Sequence, residues 1–199
     1  MDVELWNERF AGSEFVYGTE PNDFLVAAAA SFPPGPVLCL AEGEGRNAVW
    51  LAARGHAVTA VDHAAAGLAK ARRLAATRGV KLETVAADLA AYPMAPGAWA
   101  GIVAIWVHLP PELRRAVHAR VVRGLQPGGW FILEAYTPAQ LAFDTGGPRS
   151  ADLLMTAAQL RDELAGLEFE ILRELERDVV EGGKHTGRAA VVQVLARKP

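Results

Sequence analysis

The sequence predicts an α/β fold: a mostly parallel sheet with helices on both faces, ending in an antiparallel hairpin. Three observations carry this. Short, continuously apolar runs alternate with longer alanine-rich runs from residue 36 to about residue 136. Glycine and proline punctuate the joins. Past residue 168, two extended runs flank Glu181-Gly182-Gly183-Lys184, a hairpin signal.

Pro36 to Ala41 has no polar alternation and reads as a strand buried on both faces. Arg46 to Ala53 reads as a helix stopped by Gly55. Ala57 to Asp62 is a second apolar strand ending in an acid. Ala64 to Thr77 is a helix with Leu68, Ala71, Leu74 and Ala75 on one face, closed by Gly79. Leu82 to Ala86 and Gly101 to Val107 are the third and fourth strands. Pro110-Pro111 opens a helix through Val122, because first-turn N–H groups are unpaired in any case. Gly128-Gly129 leads into a fifth strand, Trp130 to Ala135. This strand–helix alternation requires right-handed crossovers and hence parallel pairing.

Residues 137–155 read as a long irregular connection, followed by a helix from Ala157 to Leu164 capped by Thr156. Glu168 to Val180 and Gly187 to Lys198 are the hairpin arms and bring the sheet to seven strands. Residues 1–199 are expected to form one domain. Within it, 1–32 is a helical N-terminal extension serving as a lid, and 33–199 is the core.

The chain of 199 residues is 51% hydrophobic and 22% charged, with a formal net charge of -3. That balance argues against a general nucleic-acid binder, whose footprint is a basic excess. The single cysteine, Cys39, rules out a disulfide framework and a multi-cysteine zinc site. The histidines show no ligand spacing, so no metal is expected. The N-terminus opens acidic with no apolar run. The most apolar stretches, 24–32 and 101–109, are about half the ~20 residues of a bilayer span. A cytoplasmic protein without a membrane partner is expected, as a monomer or homodimer.

The chemistry concentrates at Glu42-Gly43-Glu44-Gly45-Arg46-Asn47-Ala48, between the first strand and first helix. It holds a G-x-G-x-x-A pattern, a Rossmann-type turn where glycine lets the backbone approach a ligand at a helix N-terminus. Asp62 ends the next strand, where a carboxylate accepts hydrogen bonds from ribose hydroxyls. Asp88 ends the third. A pyrophosphate at this turn would sit beside Glu42 and Glu44, and like charges at such range cost on the order of 1 to several kcal/mol. A cationic ligand on a ribosyl-adenine frame fits better, and S-adenosylmethionine has that character.

With these residues the sequence resembles the class I S-adenosylmethionine-dependent methyltransferases, over nearly the whole chain. The Glu42–Asn47 turn, His108-Leu109-Pro110 and the closing hairpin resemble the bacterial branch of tellurite-resistance and thiopurine methyltransferases. The chain departs from the family's usual first motif, carrying Cys39 where an Asp is common and Ala41-Glu42-Gly43 where Gly-Cys-Gly is common. The resemblance implies that Gly43 and Gly45 line the methionine portion, with Glu42, Glu44, Arg46 and Asn47 completing the turn. It implies that Asp62 takes the ribose, that Asp88 faces the adenine amino group, and that His63 and Leu89 flank the ring. Ile105, Trp106 and His108 then lie where the methyl group points.

Tyr17, in a turn-rich passage before the helix capped by Asn22, is a lid residue over cofactor and substrate. Arg149, in the long connection, is a candidate for an anionic substrate, with Arg114, Arg188 and His185 behind it. A soft nucleophile of sulfur, selenium or tellurium needs no strong base. A hydroxyl or amine would, and His108 is then the first candidate, with Tyr136 and Glu134 as alternatives. A nicotinamide-dependent oxidoreductase and a catalytically silent cofactor-binding protein of the same fold are the other readings.

Overall fold

The computed structural model describes residues 3–143 and 145–199. Its centre is a seven-stranded sheet in the order β3-β2-β1-β4-β5-β7-β6. The strands are β1 Pro36–Leu40, β2 Ala57–Asp62, β3 Glu83–Ala86, β4 Trp99–Ile105, β5 Leu125–Tyr136, β6 Glu168–Glu181 and β7 His185–Arg197. β1 pairs in parallel with β2 and β4, β2 with β3, and β4 with β5. β7 runs antiparallel between β5 and β6, as the hairpin signal requires. The helices are α1 Val3–Phe10, α2 Asp23–Ala28, α3 Arg46–Ala52, α4 Ala65–Thr77, α5 Pro111–Gly124 and α6 Ala157–Glu163.

The period-2 geometry of the strands splits the core between the two faces. Leu38 and Leu40 join Ile102, Phe131 and Val194 against α5 and α6 on one side. Val37 and Cys39 join Ala60, Val103 and Leu195 against α2, α3 and α4 on the other. Cys39 is fully buried, and burial pushes its thiol well above the ordinary range, so it is packing. Small residues let the helices come close. A Cβ on Gly45 would lie 2.5 Å from that of Ala71 on α4, so this glycine is required by the α3–α4 approach.

Most strand ends lie within two residues of expectation, and two of the differences have a local backbone cause. β4 stops at Ile105, short of Val107, because Trp106 turns into the left-handed region at φ 59°. β5 begins at Leu125, five residues before the run of bulky residues, and carries Gly128 at φ 78°. The N-terminal extension resolves into α1, α2 and a short 3-10 turn after it. The Asn22 side chain caps α2 by accepting the Leu25 N–H at 2.9 Å. No helix among the described residues is long and apolar enough to cross a membrane.

Candidate active site

The strand order reverses at β1 and β4, whose carboxyl ends diverge and leave a crevice. A cavity of about 600 Å³ opens there. Glu42, Gly43, Asp62, Asp88, Trp106 and His108 all line it, as do His63, Leu89, Ile105 and Tyr17. Ala41 and Trp106, which follow β1 and β4, both have positive φ, 46° and 59°. Such non-glycine conformations cost of order 1–3 kcal/mol and cluster at functional sites.

The glycine turn is organised by carboxylates. Glu42 Oε1 accepts the N–H groups of Asn47 and Ala48 at 2.9 and 2.8 Å, so it caps the start of α3 from inside the turn. Desolvation raises Glu42 to about 7, although these N–H groups and the Arg46 charge pull the other way. Asp62 is buried, and its two oxygens accept from Gly43 N at 2.8 Å and Ala64 N at 2.7 Å. Burial raises its carboxyl despite those bonds. Asp88 is exposed and accepts the Ala90 N–H at 2.7 Å.

The polar groups of the other turn residues are engaged within the protein. Glu44 borders the cavity, but its oxygens accept the N–H groups of Val16 and Tyr17 at 3.2 and 3.1 Å and pair with Lys70 at 2.5 Å. It anchors the segment before α2, which corrects the expectation that its charge faces the cofactor. Gly45 lies outside the cavity lining and serves helix packing, a second correction. Arg46 is ion-paired with Glu181, and Asn47 Oδ1 accepts the Asn22 N–H at 2.9 Å. Both line the cavity with their polar groups already engaged.

Glu181 belongs to a buried network that sequence reasoning missed. Asn22 Nδ2 donates to Glu181 at 2.7 Å and to Glu134 at 2.6 Å. Glu134 also takes Arg177 at 2.7 and 2.9 Å and Gln193 at 2.7 Å. Trp106 Nε1 donates to Glu181 at 2.5 Å. Arg46 and its neighbours hold Glu181 below the usual carboxylate range. Glu134 is thus engaged by Asn22, Arg177 and Gln193. The only sequence signal for Glu181 was an acid closing a long apolar-alternating strand.

At the acceptor end, Trp106 stacks on Tyr136 at 4.4 Å, and His185 meets Tyr17, Trp106 and Tyr136 at 4.7, 5.2 and 5.6 Å between ring centroids. His108 Nε2 accepts the Tyr136 amide N–H at 3.1 Å, and its Nδ1 is 3.0 Å from the Trp106 carbonyl. Desolvation and the charge of His185 lower His108 to about 3. Both ring nitrogens are occupied by backbone, which corrects its expected role as base. Tyr136 is fully buried, outside the cavity lining, and its hydroxyl is held protonated by burial and by Glu181 and Glu134. A base role for Tyr136 is corrected likewise.

Arg149 is exposed and outside the lining. Arg114 is buried in a separate cluster, donating to Glu163 at 2.8 Å beside His118. Arg188 pairs with Glu176 at the surface. Of these candidates, His185 alone reaches the cavity. Leu5, Trp6, Arg9 and Phe10 of α1 also line it, and no sequence motif marked them. Among the described residues there is no cluster able to hold a metal ion.

A Rossmann-like sheet with acids at the ends of its first three strands, around a cleft of nucleoside size, is a fold this chain shares with S-adenosylmethionine-dependent methyltransferases of known structure. Comparison with known proteins agrees. Residues 37–129, just under half of the chain, match the family model of a methyltransferase domain. The chain is 31% identical over 117 residues to a 2-heptyl-1-hydroxyquinolin-4(1H)-one methyltransferase of Mycobacteroides abscessus, covering 57% of this chain and 52% of that one. It thus spans about half the length of the curated relative it matches.

Among solved structures, TehB from Haemophilus influenzae superposes with a TM-score of 0.74 at 20% identity, over 98% of this chain and 66% of that one. A protein converting a disulfide bond into a thioacetal group in echinomycin biosynthesis superposes at 0.80 and 20% identity, over 98% and 91%. The N-methyltransferase NodS from Bradyrhizobium japonicum does so at 0.68 and 15%, over 99% and 97%.

Proposed function

We propose that this chain is a methyltransferase that uses S-adenosylmethionine and acts on a small molecule, at a sulfur, selenium or tellurium nucleophile that arrives already ionised. Glu42 carries the cofactor half of this reading. It is a desolvated carboxyl raised to about 7 at the end of β1, in a cavity where a cationic group would offset its charge. The donor set suits the rest of the cofactor. Asp62, pre-oriented by Gly43 and Ala64, takes the ribose hydroxyls, and Asp88 the adenine amine between His63 and Leu89. A pyrophosphate beside Glu42 would meet repulsion, which disfavours a nicotinamide dinucleotide.

When bound, the cofactor supplies an electrophilic methyl group. The chain supplies position and dryness. α1 and the Tyr17 segment cover the cavity with Trp6, Phe10 and Tyr17, held by Glu44 and by the Asn22 network. His108, Tyr136 and Glu134 take no proton from the acceptor, which is why an acceptor ionised in solution suits the site.

A second reading, transfer to an acidic hydroxyl on a heterocycle, draws support from the similarity to the hydroxyquinolinone enzyme. Calorimetric titration with S-adenosylhomocysteine tests the common core of both. Saturable binding is expected, and no heat at millimolar ligand would overturn it.

A further inference from the structure

β3 presents Asp88 from the edge of the sheet. It pairs on one side only, with β2 over four residues, whereas the strand that ends in Asp62 is flanked by β1 and β3. No residue of β3 is buried, and residues 87–98 after it form neither helix nor strand. A segment with so little support opens easily unless something outside it holds it. Yet Leu89 is 5% exposed within the main core, and both Asp88 and Leu89 line the cavity.

Arg120, on α5, is what holds it. Its Nη2 donates to the Leu89 carbonyl, and its Nη1 to those of Ala90 and Tyr92 at 3.0 and 3.2 Å. Within the turn, the Asp88 carbonyl accepts the Ala91 and Tyr92 N–H groups at 3.0 and 2.9 Å, and Asp88 Oδ1 accepts that of Ala90 at 2.7 Å. The N–H groups thus close inward on Asp88, while the carbonyls point outward to Arg120. A planar guanidinium fork suits several carbonyls at once. Among the described residues Arg120 pairs with no carboxylate, and its Nε is sealed without a partner. Its charge is therefore spent on this turn. It lies outside the cavity lining, so any effect on a ligand passes through Asp88 and Leu89.

We propose that Arg120 is a positioning residue for the base of the cofactor. It fixes the 88–92 turn so that the second oxygen of Asp88 meets the exocyclic amine and Leu89 meets the ring, and it thereby sets the preference for adenine. This rests on the cofactor reading given above and adds to it a residue that never touches the ligand. A carboxylate accepts from the amine of adenine and repels the carbonyl that hypoxanthine carries at the same position. A rigid Asp88 therefore separates the two bases. A turn released from Arg120 lets Asp88 move to the N1–H of hypoxanthine instead, and the discrimination is lost. The ribose and methionine contacts stay, because Asp62 and Glu42 follow other strands.

The test is calorimetric affinity for S-adenosylhomocysteine and S-inosylhomocysteine, measured on the parent, Arg120→Met and Arg120→Lys. The parent should prefer the adenine compound by about tenfold or more, the worth of a hydrogen bond to a charged group. Arg120→Met keeps the stem and deletes the donors, and its preference should drop to about threefold or less. It should still bind the inosine compound within about twofold of the parent, since the other contacts are distant from the change. Arg120→Lys restores a cation without the fork and should fall between the two. An arginine that only stabilised the fold would weaken both ligands alike and leave their ratio unchanged. A parent that binds the two compounds equally overturns the proposal. So does a ratio at the parent's value in Arg120→Met, or in Arg120→Lys should Arg120→Met not fold. Failure of S-adenosylhomocysteine to bind the parent would instead overturn the methyltransferase reading.

Discussion

His108 and Tyr136 are tied ring to backbone: the imidazole Nε2 accepts the Tyr136 amide N–H at 3.1 Å. Because Nε2 accepts, Nδ1 carries the proton and donates to the Trp106 carbonyl at 3.0 Å. The ring thus bolts the end of β4 to the end of β5 and is fixed as the neutral tautomer. Replacing it by alanine should cost about 1–3 kcal/mol of stability in urea denaturation, the loss of two hydrogen bonds to backbone groups. The pH profile of methyl transfer should keep its shape, because no proton passes through this residue. A lost acidic limb in the variant would show that it does.

The same lowered values make a pH prediction. His108 and His185 are held to about 3 and about 4, so unfolding in acid takes up protons on both. Their stabilisation is present above the unfolded value of about 6.5 and is lost as pH falls from there toward 4 and 3. Glu42 opposes them. Raised to about 7, it favours the folded state as pH falls through the window from 7 to about 4.5. The Glu42→Gln variant should therefore lose stability more steeply than the parent between pH 7 and 4.5.

Glu42 also predicts proton release on ligand binding. The ammonium of S-adenosylhomocysteine favours the ionised carboxylate, so affinity should fall as pH drops from 8 to 6, by at most about tenfold per unit. Calorimetry in two buffers of different ionisation enthalpy measures the released proton directly. Equal heats in both buffers at pH 6.5 would contradict the assignment.

Asp62 is predicted to matter twice. Asp62→Ala leaves the Gly43 and Ala64 N–H groups without their acceptor and removes the ribose partner. Binding of S-adenosylhomocysteine should weaken by roughly 1–3 kcal/mol, about 10- to 100-fold. Asp62→Asn should recover part of it, since one oxygen remains.

The cluster of Arg114, His118 and Glu163 lies away from the cavity and is expected to be purely structural. Hydrogen bonds from His118 and Arg114 hold Glu163 down to about 2 in spite of desolvation. The stability it contributes is present above about 4.5 and lost as pH falls toward 2. The Glu163→Gln variant should melt lower at pH 7, differ little from the parent near pH 2.5, and bind S-adenosylhomocysteine normally.

What the sequence made legible follows from locality. β1, the glycine turn, α3 and Asp62 are contiguous, so apolar strand, turn and acid could be read together. Asp62 bonds back to Gly43 only 19 residues away. The orientation of Glu44 was not legible, because Lys70 and the Val16 and Tyr17 amides that claim it are distant in sequence. His108 fell to the same cause. Its residue type suggested a base, while its partner amide sits 28 residues on. The reason for glycine at 45 lies in Ala71, a residue with no chemistry to draw attention.

Asn22 reaches Glu134 and Glu181 across 112 and 159 residues of chain. During synthesis, the strands that present Asp62 and Asp88 leave the ribosome long before Glu181, the acid that holds Asn22. A half-made chain therefore offers an open, unlatched nucleoside cleft. The final clasp forms only after residue 181 has emerged. Contacts so distant in sequence are among the last a chain can form.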